Sequence, residues 1–319
     1  APQDSGILQG SNLIKVTVAI PTYNRADLLR ATLAGVTVQQ FPRDQFEVLV
    51  IDNNSRDHTR AVVAEFAGHH PKPRYLQEPR QGVNHARNRA VLEARGEILV
   101  FADDDILVPA DWLAHLIAPF LGDREGRIGA VGGEVVPIFP DGLPEWIRGW
   151  HAPLAFRRDT GHLDSRHSPM GANLAFRREV LSRLGPFPGG LGRQGDTLFG
   201  GEETEMLRRL RAAGFAVWFS PAAVVQHQMP AGRTTFRYTV RHAFDSARSR
   251  VIARSVQSGA ASFMYGRLIA NVFKAIGFSV VALLTTVVVR PGATKQALVR
   301  AWRSCGYIYQ ITRTLGGKS

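Results

Sequence analysis

The chain has 319 residues, 45% of them apolar, and 39 Lys and Arg against 27 Asp and Glu give it a formal net charge of +12. That apolar content excludes an intrinsically disordered chain and suffices for one large domain or two, while the one cysteine, Cys305, excludes a disulfide framework and suits a reducing compartment. The charge is uneven, because residues 230–319 carry 14 Lys and Arg against the one acid Asp245 and leave the first 229 residues near neutral.

In chain order, the polar stretch 1–14 reads as a flexible arm without a signal-peptide pattern. Residues 15–20 form a β-branched strand that runs into Pro21-Thr22-Tyr23-Asn24-Arg25, and Leu28, Leu29, Leu33 and Val36 then recur at helical spacing. Residues 46–51 form a second strand ending at Asp52-Asn53-Asn54-Ser55, with Ser55 or Asp57 as the cap of the next helix. A third strand fits 74–77. Gly82-Val83-Asn84-His85-Ala86-Arg87-Asn88 opens another helix, and the apolar strand 98–102 ends in Asp103-Asp104-Asp105.

Strands alternating with helices imply an α/β fold with a Rossmann-like, mostly parallel sheet, whose ligands bind outside the carboxyl ends of the strands. Thr22, Asp52, Arg87, Asp103 and Asp105 converge on that rim. Carboxylates at i and i+2 can share one hard divalent cation, and such a cation also takes phosphate oxygens; a helix N-cap cluster is the other reading of the acidic triplet. A dinucleotide-binding oxidoreductase is disfavoured, since no Gly-x-Gly-x-x-Gly turn follows the first strand, and no Walker-type loop is present. Without a glycine cradle, the acids and a metal must handle phosphate.

Further on, residues 135–170 hold Pro137, Pro140, Pro144, Trp146, Trp150 and Pro153, the mix of a long irregular loop. Trp146 and Trp150 are candidates to stack on an acceptor sugar, with core packing as the alternative. Glu202 and Glu203 follow the loop 197–201 and precede the helical spacing of Met206, Leu207 and Leu210; two acids at a helix start also suit its dipole. A strand at 215–219, Ser220-Pro221 and the apolar 222–225 lead to His227. His69, His70, His151, His162 and His167 show no metal-ligand spacing.

Pro21-Thr22-Tyr23-Asn24-Arg25, Val50-Ile51-Asp52-Asn53-Asn54-Ser55, Gly82 through Asn88, Phe101-Ala102-Asp103-Asp104-Asp105, Gly171-Ala172-Asn173 and Gly201-Glu202-Glu203 together resemble, in order and spacing, the landmarks of glycosyltransferase family 2. The resemblance spans roughly residues 15–230. It implies the GT-A fold and an inverting enzyme that uses a nucleotide-diphosphate sugar, most often UDP-linked, with manganese or magnesium. By the same resemblance, Asp52 contacts the base, and Pro21, Thr22, Tyr23 and Arg25 line the base and ribose pocket. Arg87 faces the diphosphate, Asp103 contacts ribose and metal, and Asp105 ligates the metal. Asp104 belongs to the nucleotide-sugar set, although strand alternation turns it away from the cation. His227 is a further candidate ligand. The catalytic base is the second acid of a pair that usually reads Glu-Asp, which points to Glu203, with Glu202 as the alternative. Gly171, Ala172 and Asn173 border the acceptor.

The implied organisation is an arm at 1–14, a catalytic domain at 15–229 (nucleotide-sugar half 15–125, acceptor half 126–229) and a basic helical region at 230–319. The last contains 268–289, where Lys274 is the single ionisable group. A single crossing would place Arg290, Lys295, Arg300, Arg303 and Arg313 on the far side, against the positive-inside tendency. An in-plane or re-entrant helix flanked by basic helices at 233–256 and 297–314 fits better, on the inner face of the cell membrane and on anionic lipid rather than nucleic acid; packing on the catalytic domain or in a homodimer is the alternative. The expected acceptor is a saccharide or lipid-linked saccharide. A processive synthase is disfavoured by the lack of a Gln-x-x-Arg-Trp element. A silent nucleotide-sugar-binding scaffold and an NDP-sugar nucleotidyltransferase are the competing classes.

Overall fold

Residues with β-branched and apolar side chains on both faces build the centre of the molecule. In the computed structural model, which describes residues 14–140, 142–147, 159–195, 197–257 and 259–317, β1 (Val16–Thr22) is followed by α1 (Ala26–Val36), β2 (Phe46–Asp52), α2 (Thr59–Glu65), β3 (Arg74–Gln77), α3 (Val83–Glu93) and β4 (Ile98–Ala102). β1 pairs in parallel with both β2 and β4, and β2 with β3, so these four strands end on one rim, as expected. Asp57, and not Ser55, receives the Thr59 N–H at the start of α2, at 3.1 Å.

The second half makes the sheet mixed. It adds β5 (Ile106–Leu107), α4 (Trp112–Gly122), β6 (Ile128–Ile138), β7 (Gly161–His162), β8 (Asn173–Arg177), α5 (Arg178–Arg183), α6 (Glu202–Ala212) and β9 (Ala216–Gln228). The strand order is β3-β2-β1-β4-β8-β6-β9-β5, with β7 on the side of β9; β8 runs antiparallel to both β4 and β6. Both faces are covered. In β4, Ile98, Val100 and Ala102 pack towards α1 and α4, while Leu99 and Phe101 pack towards α3 and α6, the two-sided burial expected of a strand without polar alternation.

Two elements differ from the sequence reading. The irregular stretch expected from 135 is strand up to Ile138, and residues 128–134 were not read as strand at all. Gly132 and Gly133 weaken the local strand signal, yet a Cβ on Gly132 would lie 2.1 Å from Pro169 and one on Gly133 2.2 Å from the Ala223 carbonyl. Second, the strand expected at 215–219 and the apolar 222–225 are one strand, β9, which starts at Ala216. Its register against β6 jumps between Gly133 and Glu134, so the bulge absorbs Pro221, which has no N–H to give the ladder.

The basic region forms α7 (Phe236–Ser255), α8 (Ala260–Val287) and α9 (Pro291–Leu315). α7 is tied to the loop before α6, since Asp245 accepts the Leu198 N–H at 3.0 Å and Ser249 the Gly200 N–H at 3.2 Å. Ala247, Val251, Met264, Tyr307 and Ile311 form a small core among the three helices. α8 is long and apolar enough to cross a membrane by length and composition, and only 11% of its most apolar window is buried.

Candidate active site

Thr22, Asp52 and the acidic triplet stand at the carboxyl ends of β1, β2 and β4 because those strands are parallel and in register. The three acids of the triplet then take different partners. Asp104 is buried and accepts from the Thr22 hydroxyl at 2.8 Å and from Arg25 at 2.9 Å. Asp105 is buried between Arg25 (3.0 Å), Arg233 (3.1 Å) and His227, whose Nε2 lies 2.9 Å from Oδ1. The β5–β9 register, which pairs Ile106 with His227, and the Gln228 N–H on the Asp105 carbonyl bring the histidine there. Burial pushes the Asp105 carboxyl up, but His227, Arg233 and Arg25 outweigh it and hold the group below the usual carboxylate range. Asp103 is pushed up, by burial first and by Asp105 second.

Asp103, Asp105 and His227 offer one ligand atom each, all within 4.8 Å of one another. Two carboxylates and an imidazole suit manganese, and the carboxylates alone suit magnesium. Asp105 Oδ1 and His227 Nδ1 are buried atoms without an aligned hydrogen-bond partner, which fits a site whose remaining valence is meant for a ligand. The residues present therefore fit the cation.

Across the cleft, Arg87 on α3 is buried and donates to Glu202 at 2.6 Å and to Glu203 at 2.8 Å, with its guanidinium 5.9 Å from the Phe101 ring centre and 5.7 Å from that of Phe187. Arg87, expected to face the diphosphate, lines the cleft near Asp103 but pairs here with the two acids, while Arg25 and Arg233 are the cations paired with Asp104 and Asp105. Glu202 is almost fully enclosed, and its carboxyl is pushed up to about 7, by burial first and by the charge of Glu203 second. Glu203 lies nearer the cleft, with 20% of its side chain exposed. Its Oε1 sits directly over Gly171, where a Cβ would come within 2.0 Å. The small residue is what lets the acid occupy that place.

All of these groups except Asp52 and Asp105 line one cleft of about 1210 Å³, together with Pro21, Tyr23, Gly171 and Ala172. That volume exceeds what one small ligand needs. Asp52 lies behind the rim, where its carboxylate accepts from the Tyr75 hydroxyl at 2.5 Å and the Ser55 N–H at 2.8 Å. Asn173 is also corrected. It is fully buried, accepts from the Trp112 indole at 2.9 Å and donates to the carbonyls of Glu134 and Ala223 at 2.9 and 2.7 Å, so it ties β8 to its neighbours and does not face an acceptor. Trp146 likewise lies outside the cleft, against Phe236 at 5.8 Å and Lys295 at 5.6 Å, and its carbonyl accepts from Gln296. Trp150 falls outside the described residues. Arg233 was not anticipated. It stands at the head of the basic region, where nothing in its neighbours separates a buried site arginine from a surface one.

A model of the family described as glycosyl transferase family 2 matches residues 17–185. Glycosyltransferase AglE of Haloferax volcanii is 28% identical over 218 residues, which are 68% of each chain. Among solved structures, the mannosyltransferase PcManGT of Pyrobaculum calidifontis in complex with GDP-Man and Mn2+ superposes with a TM-score of 0.64 at 24% identity, covering 96% of this chain and 88% of that one. TarS 1–349 of S. aureus in complex with UDP-GlcNAc superposes with a TM-score of 0.56 at 17% identity, covering 96% and 93%. Both structural likenesses concern the fold.

Proposed function

The chain belongs to glycosyltransferase family 2, and from that premise we propose that it moves one sugar, with inversion, from a UDP-linked donor to a hydroxyl of a saccharide or lipid-linked saccharide. The observation that carries this reading is one cleft lined by Asp103 and His227, with Asp105 buried directly behind them, and by the Arg87-held pair Glu202 and Glu203. A bound manganese or magnesium ion, held by Asp103, Asp105 and His227, supplies charge neutralisation to the leaving diphosphate.

Arg25 and Arg233 add two further cations beside the same acids, where phosphate oxygens are to lie. Pro21, Thr22 and Tyr23 border the nucleoside end. Glu203 takes the proton of the acceptor hydroxyl as that oxygen forms its bond to the anomeric carbon, and the bond to the diphosphate breaks with its electron pair leaving on the nucleotide. Arg87 orients Glu203 and leaves it partly exposed to the cleft. Glu202 is almost fully enclosed whereas Glu203 is partly exposed, so Glu203 is the acid that an acceptor hydroxyl can reach, and reach decides before basicity.

The PcManGT structure is a complex with GDP-Man and that of TarS 1–349 a complex with UDP-GlcNAc, so the nucleotide is the first variable to test. Incubating the purified chain with UDP-sugars and GDP-sugars, with manganese and with a chelator, and following nucleotide release tests the proposal. Metal-dependent release from one sugar nucleotide is expected. Binding without turnover across the panel would favour a silent scaffold, and formation of a sugar nucleotide from a sugar phosphate would favour a nucleotidyltransferase.

The exposed face of α8 and the basic balance of residues 230–319 support attachment to an anionic membrane surface, with α8 lying in the interface.

A further inference from the structure

The cleft does not end at Glu203. It continues between the catalytic part and the C-terminal helices, where Arg250 and Arg254 of α7, Arg267 and Phe263 of α8 and Tyr307 of α9 line it. The three arginines surround two rings. Arg254 and Arg267 lie 5.7 and 5.6 Å from the Phe263 ring centre, Arg267 lies 5.6 Å from that of Tyr307, and Arg250 reaches the Tyr307 hydroxyl at 3.4 Å. Among the described residues none of the three has a carboxylate partner; Arg254 bonds to the neutral Gln257. Burial pushes the Tyr307 phenol up, yet Arg250, Arg303 and Arg267 outweigh it and hold the group below its usual range, as a region of unbalanced positive charge should.

Guanidinium groups without carboxylate partners that converge on a cleft, here the half-buried Arg254 and the exposed Arg250 and Arg267, are suited to phosphate oxygens. Immediately beyond them α8 becomes apolar and exposed: Ile269, Phe273, Ile276, Leu283, Leu284 and Val287 are each at least 60% accessible. The molecule thus presents, in sequence along one path, an apolar helix, an arginine cluster and the acid assigned as base. A lipid-linked saccharide has the matching order of hydrocarbon, phosphate and sugar. A nucleic acid or a free acidic glycan would leave the apolar helix without a counterpart.

We propose that Arg250, Arg254 and Arg267 bind the phosphate or diphosphate that joins the acceptor saccharide to a membrane lipid, with the lipid chain along α8 and the sugar hydroxyl directed to Glu203. The proposal rests on the glycosyltransferase reading and narrows its acceptor to one chemical class. The donor diphosphate is kept separate, at the metal-binding acids and Arg25 and Arg233. A cleft of about 1210 Å³ has room for both.

The test uses the full chain in nonionic detergent, saturated with Mn2+ and with UDP or GDP, and measures binding of farnesyl diphosphate, inorganic pyrophosphate and farnesol by calorimetry. Farnesyl diphosphate is expected to bind in the presence of nucleotide, more tightly than pyrophosphate or farnesol. The triple variant R250Q/R254Q/R267Q should bind it at least about tenfold more weakly, since it loses several charge-assisted hydrogen bonds, and the corresponding lysine variant should recover part of the affinity. Arg250 and Arg267 are exposed, so an unchanged melting temperature is expected and serves as the control of folding. Displacement by nucleotide, equal binding of farnesol, or undiminished binding by the triple variant would overturn the proposal. The readout is lipid-diphosphate binding and not sugar transfer, so its failure removes the acceptor site alone, whereas the donor reading stands or falls on nucleotide release.

Discussion

Replacing Gly171 by alanine asks whether the position of Glu203 matters. An added Cβ would meet Glu203 Oε1 at 2.0 Å and Arg87 Nη2 at 2.9 Å, whereas ordinary contact begins at 3.4 Å, so the carboxylate must retreat by about 1.4 Å. Gly171 does not have a left-handed φ, so the backbone accepts alanine. Glu203 ends a flexible side chain and can move, and Arg87 keeps Glu202 when it does. The expected loss of stability is therefore about 2 kcal/mol or less, the value of one charged hydrogen bond. A displacement of that size in a base costs about a hundredfold in turnover. Steady-state nucleotide release should show kcat reduced by that order with the donor KM little changed, and the double variant G171A/E203Q should be no worse than E203Q alone. A Gly171→Ala enzyme with wild-type kcat would refute the placement of the base over this glycine.

Asp105→Asn should reduce metal-dependent turnover by orders of magnitude, because an amide is a poorer ligand for a hard cation, and Asp103→Asn should act in the same direction; full activity of the Asp105 variant in the presence of a chelator would exclude a metal role. Glu202 supplies a pH prediction. Its carboxyl, pushed up to about 7 in the folded chain, lies above the ordinary 4.5, so between those values the folded chain holds more protons than the unfolded one and stability falls as pH rises. At about 1.4 kcal/mol per unit this amounts to about 3 kcal/mol, so urea unfolding at pH 5 and pH 8 should show a larger fall for the wild type than for Glu202→Gln; equal falls would contradict it. At the membrane, vesicles with anionic lipid should bind the full chain more tightly than neutral ones, and salt should weaken but not abolish that binding, since apolar burial is not screened. Glu at Phe273 and Leu284, both exposed, should remove the part that resists salt, and unaltered binding by that variant would exclude insertion of α8.

The rim of the sheet was legible because it depends on local signals. Strands β1, β2 and β4 are short apolar runs ending at Pro-Thr or Asp, and a parallel order brings their ends together with that of β3. The acidic triplet and Glu203 were legible for the same reason, each lying just past an element boundary. What escaped depends on pairings distant in sequence. The Arg87 guanidinium is set by Glu202 and Glu203, more than a hundred residues away, and a helix-start arginine gives no hint whether it will meet phosphate or carboxylate. Arg233 reaches Asp105 only because the chain after β9 folds back over the rim. Asn173 resembles an acceptor residue by its neighbours Gly171 and Ala172, but it sits in β8 beside β6, and the bulge between β6 and β9 leaves the Glu134 and Ala223 carbonyls for its amide. The β6 strand was hidden by the glycines that allow Pro169 and Asn173 to approach it.

The central claim, an inverting transfer with Glu203 as base, is tested most directly by the anomeric configuration of the product. With the sugar nucleotide that the chain turns over and a lipid-linked acceptor, nuclear magnetic resonance of the wild-type product should show configuration opposite to that of the donor, and Glu203→Gln should form none while still binding nucleotide. A product of retained configuration, or inverted product formed by Glu203→Gln at the wild-type rate, would contradict it.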